Sequence, residues 1–265
     1  MEIIGFLASI AIGLILGLLG GGGSILAIPI LVYLFHIDAV MASAYSLFIV
    51  GITSLIGAIP KYKDHLVDIR TGTLFGLPSI AAIFITRKWV VPAIPDVVFQ
   101  AGAFTFSKRL LLLGLFALLM VAASMSILRD GKQTRTDERE WKVVLLATEG
   151  VVIGFLTGLV GAGGGFLIIP ALVWLTGLPF KTAVGTSLFI IAINSLLGFL
   201  GDVLNYKIAW EFLTSVTAMA ILGIFLGNRL SKKIDSHRLK KSFAWFILAV
   251  GLWITINEVV FSFNL

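Results

Sequence analysis

The residues of this chain with the clearest potential for chemistry are glycines: Gly20, Gly21, Gly22 and Gly23, followed by Ser24 and Ile25, and later Gly161, Gly163, Gly164 and Gly165, followed by Phe166. Each cluster interrupts a long apolar run, and each is followed five or six residues later by a proline, Pro29 and Pro170. A glycine in a helix interior costs about 1 kcal/mol against alanine, so each cluster predicts a break in the backbone. Inside a membrane such a break survives only where protein buries it or where it lines a wet cavity. The helix restarting after a break presents free N–H groups and the positive end of its dipole, both of which attract anions. Glycine also lets a ligand approach the backbone. The N–H groups of about Gly22 to Ile25 and Gly163 to Leu167 are therefore the candidate anion cradle. The plain alternative is that the glycines only permit close helix packing. Two clusters at matching places in a repeat favour a substrate site.

Hydroxyl and amide side chains follow each cluster at matched positions: Tyr45, Ser46, Thr53 and Ser54 after the first, Thr186, Ser187, Asn194 and Ser195 after the second. Ser46 and Thr53 are seven residues apart, as are Ser187 and Asn194, which places each pair on one helix face. They are candidate donors to a ligand oxyanion, although such residues equally bond neighbouring helices or their own backbone. No Lys or Arg stands clearly within an apolar run, so the expected anion is held by neutral donors and dipoles. Glu149 is the acidic residue set well inside an apolar run, where a charge is costly and functional by default; it is the candidate for proton coupling, unless it simply reaches water. Asp202 near Lys207, and Asp64 near Lys61 and Lys63, read as loop pairs. His36, His65 and His237 lie in loops without metal-site spacing, and the chain has no cysteine. No metal site, cofactor, nucleophile elbow or phosphate loop is expected, so the chain does not read as an enzyme or a nucleotide-driven pump.

These residues need a membrane scaffold to position them. Of the 265 residues 58% are hydrophobic and 13% charged, and the mean hydropathy is +1.06. That composition predicts an all-α polytopic membrane protein whose partner is the lipid bilayer. The excess of 20 Lys+Arg over 14 Asp+Glu forms no basic stripe with interleaved aromatics, which argues against nucleic acid. Ten apolar segments are expected at roughly 3–19, 24–35, 41–59, 71–86, 109–128, 143–160, 166–177, 182–200, 210–228 and 241–262. The second and seventh are short of a bilayer crossing, so each glycine break makes a helical hairpin, either re-entrant or fully crossing. The stretch Pro92–Ser107 reads as an external loop or an interfacial helix.

An offset of 141 residues aligns 17–58 with 158–199 with about 20 identities, the mark of a duplication. The expected units are an N-terminal repeat over 1–128, a charged linker over 129–142 and a C-terminal repeat over 143–265. Loops 60–70, 129–142, 178–181 and 229–241 carry about 15 of the 20 Lys+Arg. By the positive-inside rule they mark the cytoplasmic face and leave both termini outside. Five segments per half then make the two halves an inverted repeat. Counting each glycine hairpin as one crossing instead gives eight spans and parallel halves, and splits those basic loops between the two faces.

At Gly20-Gly-Gly-Gly-Ser-Ile-Leu-Ala-Ile-Pro29, Gly161-Ala-Gly-Gly-Gly-Phe-Leu-Ile-Ile-Pro170 and Ala183-Val-Gly-Thr-Ser-Leu188 the chain resembles the sulfite exporter TauE/SafE family of membrane permeases. The likeness covers both halves. It implies transport of a small sulfur-containing anion, such as sulfite or the organosulfonate sulfoacetate, across a bacterial inner membrane. It also implies a motif role for Gly20–Pro29 and Gly161–Pro170. Two departures bear on substrate choice: Ala44-Tyr45-Ser46 stands against Gly185-Thr186-Ser187, and residues 87–107 are longer than the matching 229–240. The function expected is export of such an anion by alternating access. Uptake, permeation of another small solute, and a non-transporting membrane scaffold are the alternatives.

Overall fold

The computed structural model describes residues 2–101, 104–128 and 139–263. Each of the ten expected apolar segments is helical. In order they are α1 (Glu2–Leu19), α2 (Gly22–Pro29), α3 (Ala39–Lys63), α4 (Ile69–Ile85) with its extension α5 (Val91–Ala93), α6 (Lys108–Leu128), α7 (Arg139–Val160), α8 (Gly165–Thr176), α9 (Phe180–Val203), α10 (Trp210–Ser231) and α11 (Ser236–Phe263). Among the described residues seven helices are long and apolar enough to cross a membrane, whereas those over Ile4–Leu19, Gly23–Leu34 and Gly165–Thr176 are shorter. The linker residues 129–138 lie outside the described residues; α7 begins at Arg139 and takes up the rest of the expected linker.

Local chemistry sets the helix ends. The Asp38 carboxylate accepts from the Val40 N–H at the start of α3, and the Asp68 carboxylate from the Thr71 N–H at the start of α4, each capping donors the helix leaves orphaned. After Pro29, which has no N–H to give, α2 widens into a π turn over Ile30–Leu34. A second π turn, Thr86–Val90, carries α4 into α5. This helix therefore runs beyond the end at 86 expected from hydropathy, and takes Arg87 and Lys88 into it. Between α5 and α6 the chain forms an antiparallel hairpin of β1 (Val97–Ala101) and β2 (Phe104–Ser107), with Val97 opposite Ser107 and Gln100 opposite Thr105. The expectation of a loop or interfacial helix is corrected here, because Val97, Val98, Phe99, Phe104, Thr105 and Phe106 are β-branched and aromatic residues suited to a pleated strand.

Helices α3 and α9 pack together at the centre with α2 and α8 beside them, α1 lies along α10, α4 along α7, and α6 along α11. The offset of 141 residues maps the α1–α10 contact onto α7–α4. Directions follow from close approaches. Gly13 lies against Ala220 and Gly17 against Asn228, so α1 and α10 run the same way; Gly150 against Phe75 and Gly158 against Thr86 show the same for α7 and α4. By contrast Gly51 meets Leu196 and Gly198 meets Leu47, so α3 and α9 run oppositely. Contacts of Leu66 with Gly185, of Lys61 with Ser231 and of Asp64 with Lys232 gather the basic loops 60–70, 178–181 and 229–233 at one end, called here the Lys61 end. The opposite end holds Asp38, Ala93 and Asp202 and is called the Asp202 end.

Glycine makes the α1–α10 seam possible. A Cβ on Gly223 would stand 2.0 Å from the Ile10 carbonyl oxygen, and one on Gly227 2.2 Å from that of Leu14. Gly223→Val should therefore lower stability by about 1–3 kcal/mol, the usual cost of overpacking. Gly114→Ala, where no neighbouring atom lies within 4 Å, should gain up to about 1 kcal/mol from helix propensity. Thermal unfolding of both variants in detergent checks the contrast, and equal melting temperatures would refute it.

Candidate functional site

Both glycine clusters break their helices. Gly20 has φ +72°, Gly161 +80°, Gly163 +66° and Gly164 +72°, left-handed conformations that residues with a Cβ rarely adopt. α2 then folds back along α1, with Gly23 against Ile12 and Leu16 and Phe35 against Gly5, which completes the expected hairpin. The turn at Gly20 reaches Val184, close to the Lys61 end, while that at Gly161 reaches Ser43, close to the Asp202 end. Past these turns the motifs meet. A Cβ on Gly21 would lie 2.4–2.8 Å from the backbone of Gly165, and one on Gly165 2.5 Å from the Gly21 Cα. Gly163 sits against Val50, Ile191 and Ser195, in the middle of α3 and α9.

The meeting point is shut off from solvent. Gly20, Gly21, Gly23, Ser24, Ile25, Gly161, Gly163, Gly164, Gly165 and Phe166 are all buried, and Gly22 opens α2. Among the described residues, several buried polar atoms on the neighbouring helices have no partner: Oγ of Ser46 and Ser54 on α3, Oγ of Ser195 and Oδ1 of Asn194 on α9, and Oγ1 of Thr157 on α7. The Thr157 hydroxyl faces Gly164 and that of Ser195 faces Gly163. Buried polar groups in proteins are nearly always hydrogen-bonded, so a cluster of open ones around a break is a place where a polar ligand has something to bind.

Other candidates are already engaged. Ser24 donates to the Gly21 carbonyl at 2.7 Å, closing the first turn. Thr53 donates to Ile49 of its own helix. Ser187 donates to Val184 at 2.8 Å and reaches the Gly20 carbonyl at 3.4 Å, and Asn194 donates through Nδ2 to Ser79 Oγ at 2.6 Å. The Tyr45 hydroxyl accepts from the Ala209 N–H at 3.0 Å, and that of Thr186 from the Asp68 N–H at 2.9 Å, tying α3 and α9 to loops at opposite ends. Phe166 packs edge-on against Phe116 of α6. In the second cradle the Leu167 N–H is taken up by the Gly164 carbonyl. Glu149 is half-buried on α7, one residue before the Gly150 contact with Phe75.

Sequence reasoning missed the charges. Arg87 and Asp202 are both fully buried and form an ion pair, Nη1 to Oδ1 at 3.4 Å, and Nη1 also donates to Ser43 Oγ at 2.9 Å. Asp202 is thus not a loop partner of Lys207, and a cation does stand inside an apolar helix. The physical reason is pairing: the π turn keeps Arg87 inside the helix, where a carboxylate on α9 offsets its charge. Lys61, 5% exposed, donates to Ser231 Oγ at 2.8 Å, and Asp64 pairs with Lys232 rather than with Lys61 or Lys63. The repeat held a signal for this, since the same offset relates Lys61 to Asp202 and Arg87 to Asn228, polar residues at matching helix ends. In the loop after Asp202, the Tyr206 hydroxyl is pushed above the usual tyrosine range, first by burial and then by the Asp202 carboxylate.

Comparison with known proteins places the chain in a family. The chain is 33% identical over 256 residues, spanning 92% of it and 90% of the relative, to a protein of Xylella fastidiosa (strain Temecula1) named "Probable membrane transporter protein". It is 27% identical to the "Probable membrane transporter protein YunE" of Bacillus subtilis, spanning 97% of this chain and 99% of that one. No solved structure matches it. The profile of the family described as "Sulfite exporter TauE/SafE" matches residues 5–254, which include both glycine motifs. This protein, an integral membrane protein with its glycine breaks buried between α3 and α9, belongs to the sulfite exporter TauE/SafE family of membrane transporters.

Proposed function

We propose that the protein is a secondary transporter that exports a small sulfur-containing anion, sulfite or an organosulfonate such as sulfoacetate, by alternating access. The observation that carries this is the contact of Gly21 with Gly165, which brings two glycine-broken hairpins together amid unpartnered hydroxyls of Ser46, Ser54, Thr157 and Ser195. Neutral donors and half-helix ends can orient a small oxyanion that must bind and leave. The units are the repeats 1–128 and 143–265, inverted with respect to each other; the antiparallel α3 and α9 and the exchange of α1 and α4 between halves support that arrangement. The protein lies in a bacterial inner membrane with the basic Lys61 end in the cytoplasm and both termini outside. Burial of the described glycines at the two breaks supports reading this conformation as an occluded one.

Purified protein in proteoliposomes should move sulfite or sulfoacetate. Gly163→Leu, which would drive a side chain into Ser195 at a left-handed position, should reduce that flux at least about 100-fold, as a misplaced binding group can. No flux of either anion by the wild type would overturn the substrate class, and full flux by Gly163→Leu would overturn the site. An imposed pH gradient should alter wild-type flux and leave Glu149→Gln indifferent to it. If both respond alike, Glu149 carries no proton.

A further inference from the structure

The buried Arg87–Asp202 pair is poorly made for a structural ion pair. Arginine binds a carboxylate best through two parallel N–H bonds, yet here one nitrogen, Nη1, serves both Asp202 and Ser43, and the Asp202 contact is long at 3.4 Å. The guanidinium edge made by Nε and Nη2 is buried and has no partner among the described residues, and neither has Oδ2 of Asp202. That edge offers two N–H groups side by side, the arrangement that grips two oxygens of an oxyanion. Nη2 lies only 1.9 Å from where a Cβ on Gly161 would stand, so the open edge is pressed against the second glycine motif and exists because residue 161 has no side chain.

Resting on the function proposed above, we infer that Arg87 is the charged residue of the substrate site: the transported oxyanion binds its Nε/Nη2 edge beside Gly161 and displaces Asp202 as its counter-charge. Neutral donors alone leave a buried anion's charge uncompensated, which is costly in an apolar interior, whereas Arg87 already sits there fully buried. Asp202 is suited to yield. It stands one residue before the end of α9, and the loop after it contributes Ala209 to the wall of a cavity of about 480 Å3 at the Asp202 end, lined also by His36, Asp38, Tyr45 and Phe212. The Ala209 N–H bond to Tyr45 and the Asn205 side-chain bonds to the Lys88 and Gly201 carbonyls hold this loop down. Arrival of an anion at Arg87 thus removes the Asp202 side-chain tie and leaves only those bonds to hold this wall of the cavity, coupling substrate binding to opening at this end.

The test uses the full-length protein, prepared in sulfite throughout, with sulfite as the probe in proteoliposome flux and thermal unfolding. Arg87→Gln/Asp202→Asn keeps size and hydrogen bonding while removing both charges; it should remain folded and lose sulfite flux by about 100-fold, the scale of deleting a buried charged contact. Asp202→Asn alone removes only the competitor, so its KM for sulfite should fall by about tenfold, and sulfite should raise its melting temperature more than that of the wild type. A purely structural pair would give neither the lower KM nor the larger stabilisation. Wild-type flux in the double variant, or an unchanged or higher KM in Asp202→Asn, overturns the inference while the wild type still transports sulfite. Absence of sulfite and sulfoacetate flux in the wild type itself would instead overturn the function on which it rests.

Discussion

Arg87→Ala is expected to destabilise the protein by about 3–5 kcal/mol, among the largest effects of any single substitution here, because it leaves the fully buried Asp202 carboxylate without a counter-charge. Asp202→Ala should cost a similar amount for the mirror-image reason. The sign changes when both go. Buried ion pairs replaced together by apolar residues of similar volume are often neutral or more stable, since neither charge then has to be taken out of water. Arg87→Met/Asp202→Leu should accordingly recover most of the loss, and the coupling between the two sites should be several kcal/mol. Reversible unfolding in mixed micelles, carried through a double-mutant cycle, gives this number. Independent, additive losses in the two single variants would show that the pair does not exist as described. Stability recovered without transport recovered would mean that the charges are kept for the substrate and not for the fold.

The scaffold was legible in the sequence because a membrane makes every crossing announce itself as an apolar run. The ten segments and the two breaks follow from that alone. Four glycines at positive φ can hardly be anything but glycine, so the hairpin turns were visible too. Arg87 was not, for a physical reason: hydropathy ends a span at the first cation, and nothing local says whether that cation is solvated or paired with a carboxylate 115 residues away. The β hairpin of 97–101 and 104–107 was hidden by its shortness, although both strands are rich in β-branched or aromatic residues and Phe104-Thr-Phe-Ser107 carried the period of a strand.

Hydroxyl roles were legible only as a set. Thr53 and Ser54 are neighbours of similar chemistry, yet Thr53 spends its hydroxyl on the Ile49 carbonyl while Ser54 is buried with none. One residue along a helix turns the side chain by about 100°, so a difference set by packing decides which of two adjacent residues has a donor to offer. Tyr45 and Thr186 show the same effect. Each sits where the repeat predicts a binding residue, and each is bonded to a loop from the other half of the chain.

The glycine contact gives the second large effect. Alanine at Gly21 would place its methyl 2.4–2.8 Å from the carbonyl carbon, oxygen and Cα of Gly165, and alanine at Gly165 would place its own 2.5 Å from the Gly21 Cα and from Ile191. Backbone cannot step aside as a flexible side chain can, so in either variant the two breaks must separate. A shift of about 1 Å in a binding constellation can cost about 100-fold in rate, and that is the expected loss of sulfite flux in Gly21→Ala and in Gly165→Ala. Overpacking should add about 1–3 kcal/mol of destabilisation. Because both methyls enlarge the same gap, the double variant should lose much less than the product of the two single effects, whereas Gly114→Ala, with open space around it, should transport as the wild type does. Multiplicative losses in the double variant would mean that each glycine acts through its own surroundings, and the shared contact of the two breaks would then not be where the anion passes.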